Sequence, residues 1–141
     1  MLKVTEHFFD SKKVLRAVDK ATHKVLSKFG SFVRSDARRS IKNRKKPSKP
    51  GQSPTNQTGL LKGHIYFYYG PATKSVVIGP ARLARSKFNN LPTLEYGGAG
   101  KVKTKKVIKN INVKARPFMT PAFNKNKQKM PQMWRDSVRR Y

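Results

Sequence analysis

The chain has 141 residues, 33 of them Lys or Arg and only six Asp or Glu, for a formal charge of +27 and a pI near 11.1. It contains no cysteine, which excludes disulfides, thiolate zinc sites and thiol nucleophiles and leaves the redox compartment unreadable. Hydrophobic residues at 36%, with eight Phe, five Tyr and one Trp, are too many for a disordered basic tail and predict one folded domain over residues 1–141.

The opening stretch MLKVTEHFFDSKK lacks the apolar run of a secretory signal. No window approaches the roughly 18 consecutive apolar residues of a membrane span, so a soluble chain without a membrane partner is expected. The charge is uneven. Residues 1–36 hold eight basic and four acidic groups, whereas residues 37–135 hold 23 basic groups and one acid, Glu95. Self-repulsion on this scale penalises the compact state unless counter-charge is supplied, so the working form is expected to meet an acidic partner, nucleic acid or protein.

In chain order, the first element is a long amphipathic helix over residues 11–42. Asp10 and Ser11 are N-cap residues. Val14, Val18, Ala21, Val25, Phe29, Phe32, Val33, Ala37 and Ile41 recur at helical spacing, with Lys12, Lys13, Lys20, Lys24 and Lys28 on the other face. Gly30-Ser31 leaves open a kink, or two shorter helices broken there. A single helix of this length overhangs a small domain, and the overhang reads as an oligomer contact. Residues 43–63 follow as an extended basic loop, rich in proline and free of apolar residues as far as Gly59. Loops of this length are usually functional or disordered.

Residues 64–119 read as a β region with a short helix. His64–Tyr69 and Ser75–Gly79 form an antiparallel hairpin turned at Gly70-Pro71. A helical stretch closes at Gly97-Gly98, and Lys105–Val113 is a third strand. Residues 120–141 form a C-terminal helical segment, started at Thr120-Pro121 and interrupted by Pro131, with Met133, Trp134 and Val138 as a second apolar patch. The expected class is α+β: a long N-terminal helix and a C-terminal helix packed on a small antiparallel sheet, with a long basic loop.

Enzyme chemistry fails on supply. The six carboxylates are scattered, and His7, His23 and His64 have no metal-ligand spacing, so no catalytic, metal or cofactor residues are expected. Gly97-Gly-Ala-Gly-Lys101 departs from a phosphate loop, having Glu95 where the first glycine belongs and Val102 where Ser or Thr belongs, and reads as a flexible turn. Two basic clusters are candidate contacts for an anionic partner. One is Arg38, Arg39, Lys42, Arg44, Lys45, Lys46 and Lys49, and the other Lys101, Lys103, Lys105, Lys106 and Lys109. Tyr66 and Tyr68 share one strand face, either packed under a helix or exposed as a stacking platform for single strands. No helix-turn-helix or RNA-recognition signature is present.

Four stretches in order carry a family resemblance: Lys49-Pro-Gly-Gln-Ser-Pro54 running into Gln57-Thr-Gly-Leu-Leu-Lys-Gly-His-Ile65, then Val76-Val-Ile-Gly-Pro80, Leu94-Glu-Tyr-Gly-Gly98 and Ala115-Arg-Pro-Phe-Met-Thr-Pro-Ala-Phe123. Together they resemble the neck, or tail-completion, proteins of long-tailed bacteriophages, over roughly residues 11–140. The resemblance implies a non-enzymatic virion protein at the head–tail joint. It would be assembled in the host cytoplasm as a homo-oligomeric ring around the DNA channel, with neighbouring neck and tail proteins as partners and DNA as a passing contact. It implies no cofactor and no small-molecule substrate.

The motif positions it marks are Pro50, Gly51, Thr58, Gly59, Leu60, Gly79, Leu94, Glu95, Gly97, Gly98, Arg116, Pro117, Phe118 and Pro121. Of these, Gly59, Gly97 and Gly98 are expected to adopt backbone angles closed to side chains. Leu94 is expected to bury against the sheet. Arg116 is the natural partner for Glu95, within a subunit or across a ring interface, unless Glu95 is solvated among diffuse cations. Pro131 and the size of the charge depart from the family pattern.

Overall fold

The computed structural model describes residues 10–81, 91–103 and 107–138. Helix α1, Ser11–Ser40, is a single continuous rod of 30 residues, about 45 Å long at 1.5 Å per residue. Asp10 caps it, its Oδ1 accepting from Lys13 N at 3.1 Å. Gly30 neither kinks nor breaks it. A Cβ built at Gly30 would lie 2.8 Å from Phe67 Cδ2 and 3.0 Å from Val76 Cγ2, so the glycine marks where the β-hairpin presses onto the helix. The helix stops two residues earlier than its periodicity suggests. Ile41 turns extended and drops fully buried into the core, while Ser40 Oγ donates back to Ala37 O at 2.8 Å.

The basic loop is pinned by two very short strands, β1 (Lys42–Asn43) and β2 (Thr55–Asn56), which pair in parallel. A single turn, α2 (Leu60–Gly63), leads into the hairpin of β3 (Ile65–Gly70) and β4 (Ser75–Pro80), in the register Phe67↔Ile78 and Tyr68↔Val77. Ile65, Phe67, Val76 and Ile78 face inward. Alternation along the strand then directs Tyr66 and Tyr68 outward, 48% and 68% exposed, so neither packs under a helix.

Helix α3 (Leu91–Tyr96) ends at Gly97 and Gly98, whose φ values of +78° and +124° reverse the chain. The glycine-rich run read as a flexible turn is instead strand β5 (Gly98–Lys103). It pairs with β6 (Ile108–Val113) in a second antiparallel hairpin. Of the expected strand Lys105–Val113, residues Ile108–Val113 form β6, Lys105 and Lys106 lie outside the described residues, and β6 does not join the first hairpin. In place of one small sheet there are three separate two-stranded sheets among the described residues. Each hairpin strand pairs only with its next neighbour in the chain, β3 with β4 and β5 with β6, so the two hairpins stay separate.

The C-terminal segment is two helices, α4 (Met119–Lys127) and α5 (Met130–Val138), with Pro131 in the first turn of α5, where proline's missing N–H costs nothing. Thr120 is not the cap of α4. That place belongs to Phe118, whose side chain is buried. One core runs through the molecule: Val25, Phe29, Val33 and Ala37 of α1 and Ile41 just beyond it, with Ile65, Phe118, Ala122 and Met133. Leu94 and Trp134 pack against it, so Met133 and Trp134 extend this core and form no second patch. The first three turns of α1 stand outside it, with Val14, Leu15 and Val18 about half exposed. The class is α+β. No helix among the described residues is long and apolar enough to cross a membrane.

Candidate anion-binding surface

The long basic loop is ordered by hydrogen bonds to segments distant in sequence. Within the loop, Asn56 Nδ2 donates to Asn43 Oδ1 at 2.7 Å, and Thr55 Oγ1 and Gln57 Nε2 donate to Lys46 O and Lys45 O. Across the molecule, Gly51 N donates to Ala115 O at 2.9 Å, Arg116 Nε to Ser48 O at 3.1 Å and Ser53 Oγ to Pro117 O at 3.3 Å. Gly51 and Gly59 both take left-handed backbone, at φ +80° and +82°, as the loop's sharp reversals require. The Pro50-Gly51 stretch and the Arg116-Pro117-Phe118 stretch thus lie against each other, some 65 residues apart in the chain.

Glu95 completes this junction, though with partners other than the one expected. Its side chain is 7% exposed, and Oε2 accepts from Phe118 N at 2.9 Å and Met119 N at 3.2 Å while Oε1 accepts from Thr120 N at 2.8 Å. These are the orphan N–H groups at the start of α4, where the helix dipole also favours a negative charge. Burial alone would push the Glu95 carboxyl up, but the three backbone donors outweigh it and hold the group below its ordinary value. Arg116 does not pair with Glu95. Its guanidinium serves carbonyls instead, Ser48 O through Nε and Lys114 O through Nη1 at 3.3 Å. The physical reason is that backbone amides, invisible to a count of side-chain charges, satisfy the carboxylate first. Leu94 O fixes the same junction by accepting from Arg116 N at 2.8 Å.

The first basic cluster is displayed around this junction. Lys42, Arg44, Lys45, Lys46 and Lys49 are exposed, and none has a carboxylate within ion-pair distance among the described residues. Arg39 is 81% exposed and only 3.9 Å from Asp36. Arg38 is partly withdrawn, with Nη2 donating to Gly63 O at 2.7 Å. The second cluster is less unified. Lys101 pairs across the ladder with Asn110 and Lys109 with Val102, so Lys101 and Lys109 project from opposite faces of the hairpin. Lys103 ends β5, and Lys105 and Lys106 lie outside the described residues.

Of the remaining motif positions, Pro50 and Thr58 are exposed in the loop and Leu60 is exposed at the start of α2, Gly79 sits in β4 opposite Tyr66, and Pro121 is exposed in α4. Sequence patterning did not single out Arg34. Its Nε donates to Ile65 O at 2.9 Å, and its guanidinium lies 5.9 Å from the Tyr66 ring centroid, so a cation sits beside the exposed tyrosine face. The only hint was its place on the flank of the apolar stripe, which does not distinguish it from any other surface arginine.

Elsewhere, Asp36 is held below the ordinary carboxylate range, first by Asn126 Nδ2 at 2.8 Å and then by Lys125. Among the described residues, no group of three or more His, Asp or Glu is placed to hold a metal ion. The surface therefore offers fixed donors and mobile cations to an anion. No protein-family model, curated protein or solved structure matches the chain.

Proposed function

We propose that the protein is a structural, non-enzymatic component of a bacteriophage neck or tail-completion ring, joining head and tail around the DNA channel. The observation that carries this reading is the junction itself. The Pro50-Gly51, Leu94-Glu95 and Arg116-Pro117-Phe118 stretches that prompt the family resemblance meet in one hydrogen-bonded cluster. Residues chosen for a shared structural task are expected to converge in this way. The basic loop beside the cluster supplies cations for acidic surfaces of neighbouring ring proteins, and DNA in transit is a passing contact. The test is the oligomeric state of purified protein with and without tail tubes or portal complexes, viewed by electron microscopy. Rings that co-purify with phage tails support the reading. A chain recovered only on host ribosomes or nucleoid rejects it.

A second reading, a small nucleic-acid-binding protein without sequence preference, is favoured by one specific observation: Tyr66 and Tyr68 are exposed on one strand face beside Arg34. It predicts single-strand affinity by the isolated chain, falling steeply with salt and weakened by Tyr68→Ala. Equal affinity of wild type and Tyr68→Ala for single strands would set it aside.

A further inference from the structure

Between the end of α1 and the basic loop lies a cavity of about 380 Å³ whose lining includes Lys42, Arg44 and Ser48. We propose that this cavity is an oxyanion site that takes a phosphate group. The inference rests on the anionic-partner half of the proposed function and is independent of the virion assignment.

Lys42, in β1, and Arg44, just after it, both line the cavity. No carboxylate lines the cavity, and neither cation has an acid within ion-pair distance among the described residues. Three lining hydroxyls are already committed as donors: Ser40 Oγ to Ala37 O, Ser53 Oγ to Pro117 O and Thr55 Oγ1 to Lys46 O. The fourth, Ser48 Oγ, is buried and has no hydrogen-bond partner among the described residues, a costly state that an acceptor in the cavity would relieve. A hydroxyl turns readily between staggered positions, so an oxyanion there gives it one.

The walls are pre-set. Arg116 holds the Ser48 carbonyl, the β1–β2 pairing fixes Lys42 opposite Thr55, and Gly51 is tied to Ala115. The backbone of the site is therefore already ordered, and binding has only the side chains of Lys42 and Arg44 left to restrict. Phosphate suits the donors better than a carboxylate does. A tetrahedral anion can accept from a guanidinium fork, an ammonium and a hydroxyl approaching from different directions, whereas a carboxylate presents its lone pairs in one plane.

The experiment is a calorimetric titration of the full chain with inorganic phosphate at constant ionic strength, repeated with acetate and with a short DNA duplex. Phosphate is expected to bind more tightly than acetate. Arg44→Ala and Lys42→Ala are each expected to weaken it by roughly tenfold, as loss of a charge-assisted hydrogen bond implies, and Ser48→Ala by about threefold. Lys45→Ala, whose side chain is outside the cavity, changes it less than about twofold. The side chains of Arg44 and Lys42 are exposed and in no ion pair among the described residues, so their variants are expected to fold, which circular dichroism checks.

A parallel loss of duplex binding in Arg44→Ala identifies the DNA backbone as the source of the phosphate. Duplex binding that is unchanged while inorganic phosphate is lost identifies a free phosphate. Equal losses for Arg44→Ala and Lys45→Ala, acetate binding as tightly as phosphate, or no phosphate binding at constant ionic strength overturns the proposal. None of these results depends on ring formation, so failure here and failure of the virion assignment are separable.

Discussion

Glu95 shows how one carboxylate can organise a junction. It stabilises the first turn of α4 by accepting from three backbone donors in a buried place, where a lost partner costs about 1–3 kcal/mol. Glu95→Gln keeps the shape and removes the charge, and is expected to destabilise the fold by about 2 kcal/mol. Asp19→Asn, which removes an exposed, solvent-screened ion pair with Lys74, is expected to cost much less, and urea denaturation compares the two. The pH dependence has a definite sign. The folded carboxyl titrates below its ordinary value of 4.5, so its contribution is present above that value and lost as pH falls through the lower folded value. The melting-temperature gap between wild type and Glu95→Gln should therefore be widest near neutrality and narrow below pH 4.5.

A second residue-scale contrast is between two glycines. In a helix, Gly→Ala ordinarily gains up to about 1 kcal/mol. At Gly30 the new methyl would meet Phe67 and Val76 at 2.8–3.0 Å, and Gly30→Ala is expected to destabilise by about 1–3 kcal/mol. At Gly63, where a Cβ has open space and φ is not positive, Gly63→Ala is expected to be neutral or stabilising. Thermal melts of the two variants should move in opposite directions, or at least differ by several degrees.

Among the elements, the two hairpins differ in what holds them. The β3–β4 hairpin lays Phe67, Val76 and Ile78 onto α1, while β5–β6 presents mostly exposed residues, among them Ile108 and Ile111. A two-stranded ribbon without a buried face is marginal alone. Amides of β5–β6 are therefore expected to exchange hydrogen orders of magnitude faster than those of β3 and the central turns of α1, as followed by NMR or mass spectrometry. Slower exchange on addition of an anionic partner would show the ribbon to be part of the interface. The overhanging first turns of α1, with Val14, Leu15 and Val18 exposed, should likewise exchange faster than the stretch from Val25 to Ala37.

For the whole molecule, +27 on 141 residues makes charge the dominant condition-dependent term. Only three ion pairs are found among the described residues, and all involve groups at or near the surface. Salt therefore screens far more repulsion than attraction. The melting temperature is expected to rise from about 20 to 300 mM NaCl, as the Debye length falls from about 20 Å to under 10 Å. Scanning calorimetry across that range checks it, and a falling melting temperature would contradict it. The same repulsion opposes any ring of identical copies, so ring assembly should need salt or an acidic partner.

The helix over most of residues 11–42, the first hairpin, the cap at Asp10 and the α+β class were legible in the sequence, because they follow from local periodicity and capping chemistry acting within a few residues. So was the one-sided charge of residues 37–135, which composition alone determines. Which partners the key groups take was not legible. Glu95 was matched to Arg116 by charge, yet folding brought it three peptide amides from α4, and Arg116 went to carbonyls. Glycines that read as a loose turn became a paired strand, and Gly30, which left a kink or a break open, became a contact surface for Phe67 within a continuous helix. Likewise, neither the outward turn of Tyr66 and Tyr68 nor the cavity beneath the proline-rich loop has a local signature. Composition fixes how much charge must be answered. Only the tertiary structure decides which charges are answered internally by backbone dipoles and which are left facing outward for a partner, because those dipoles come from residues far away in the chain.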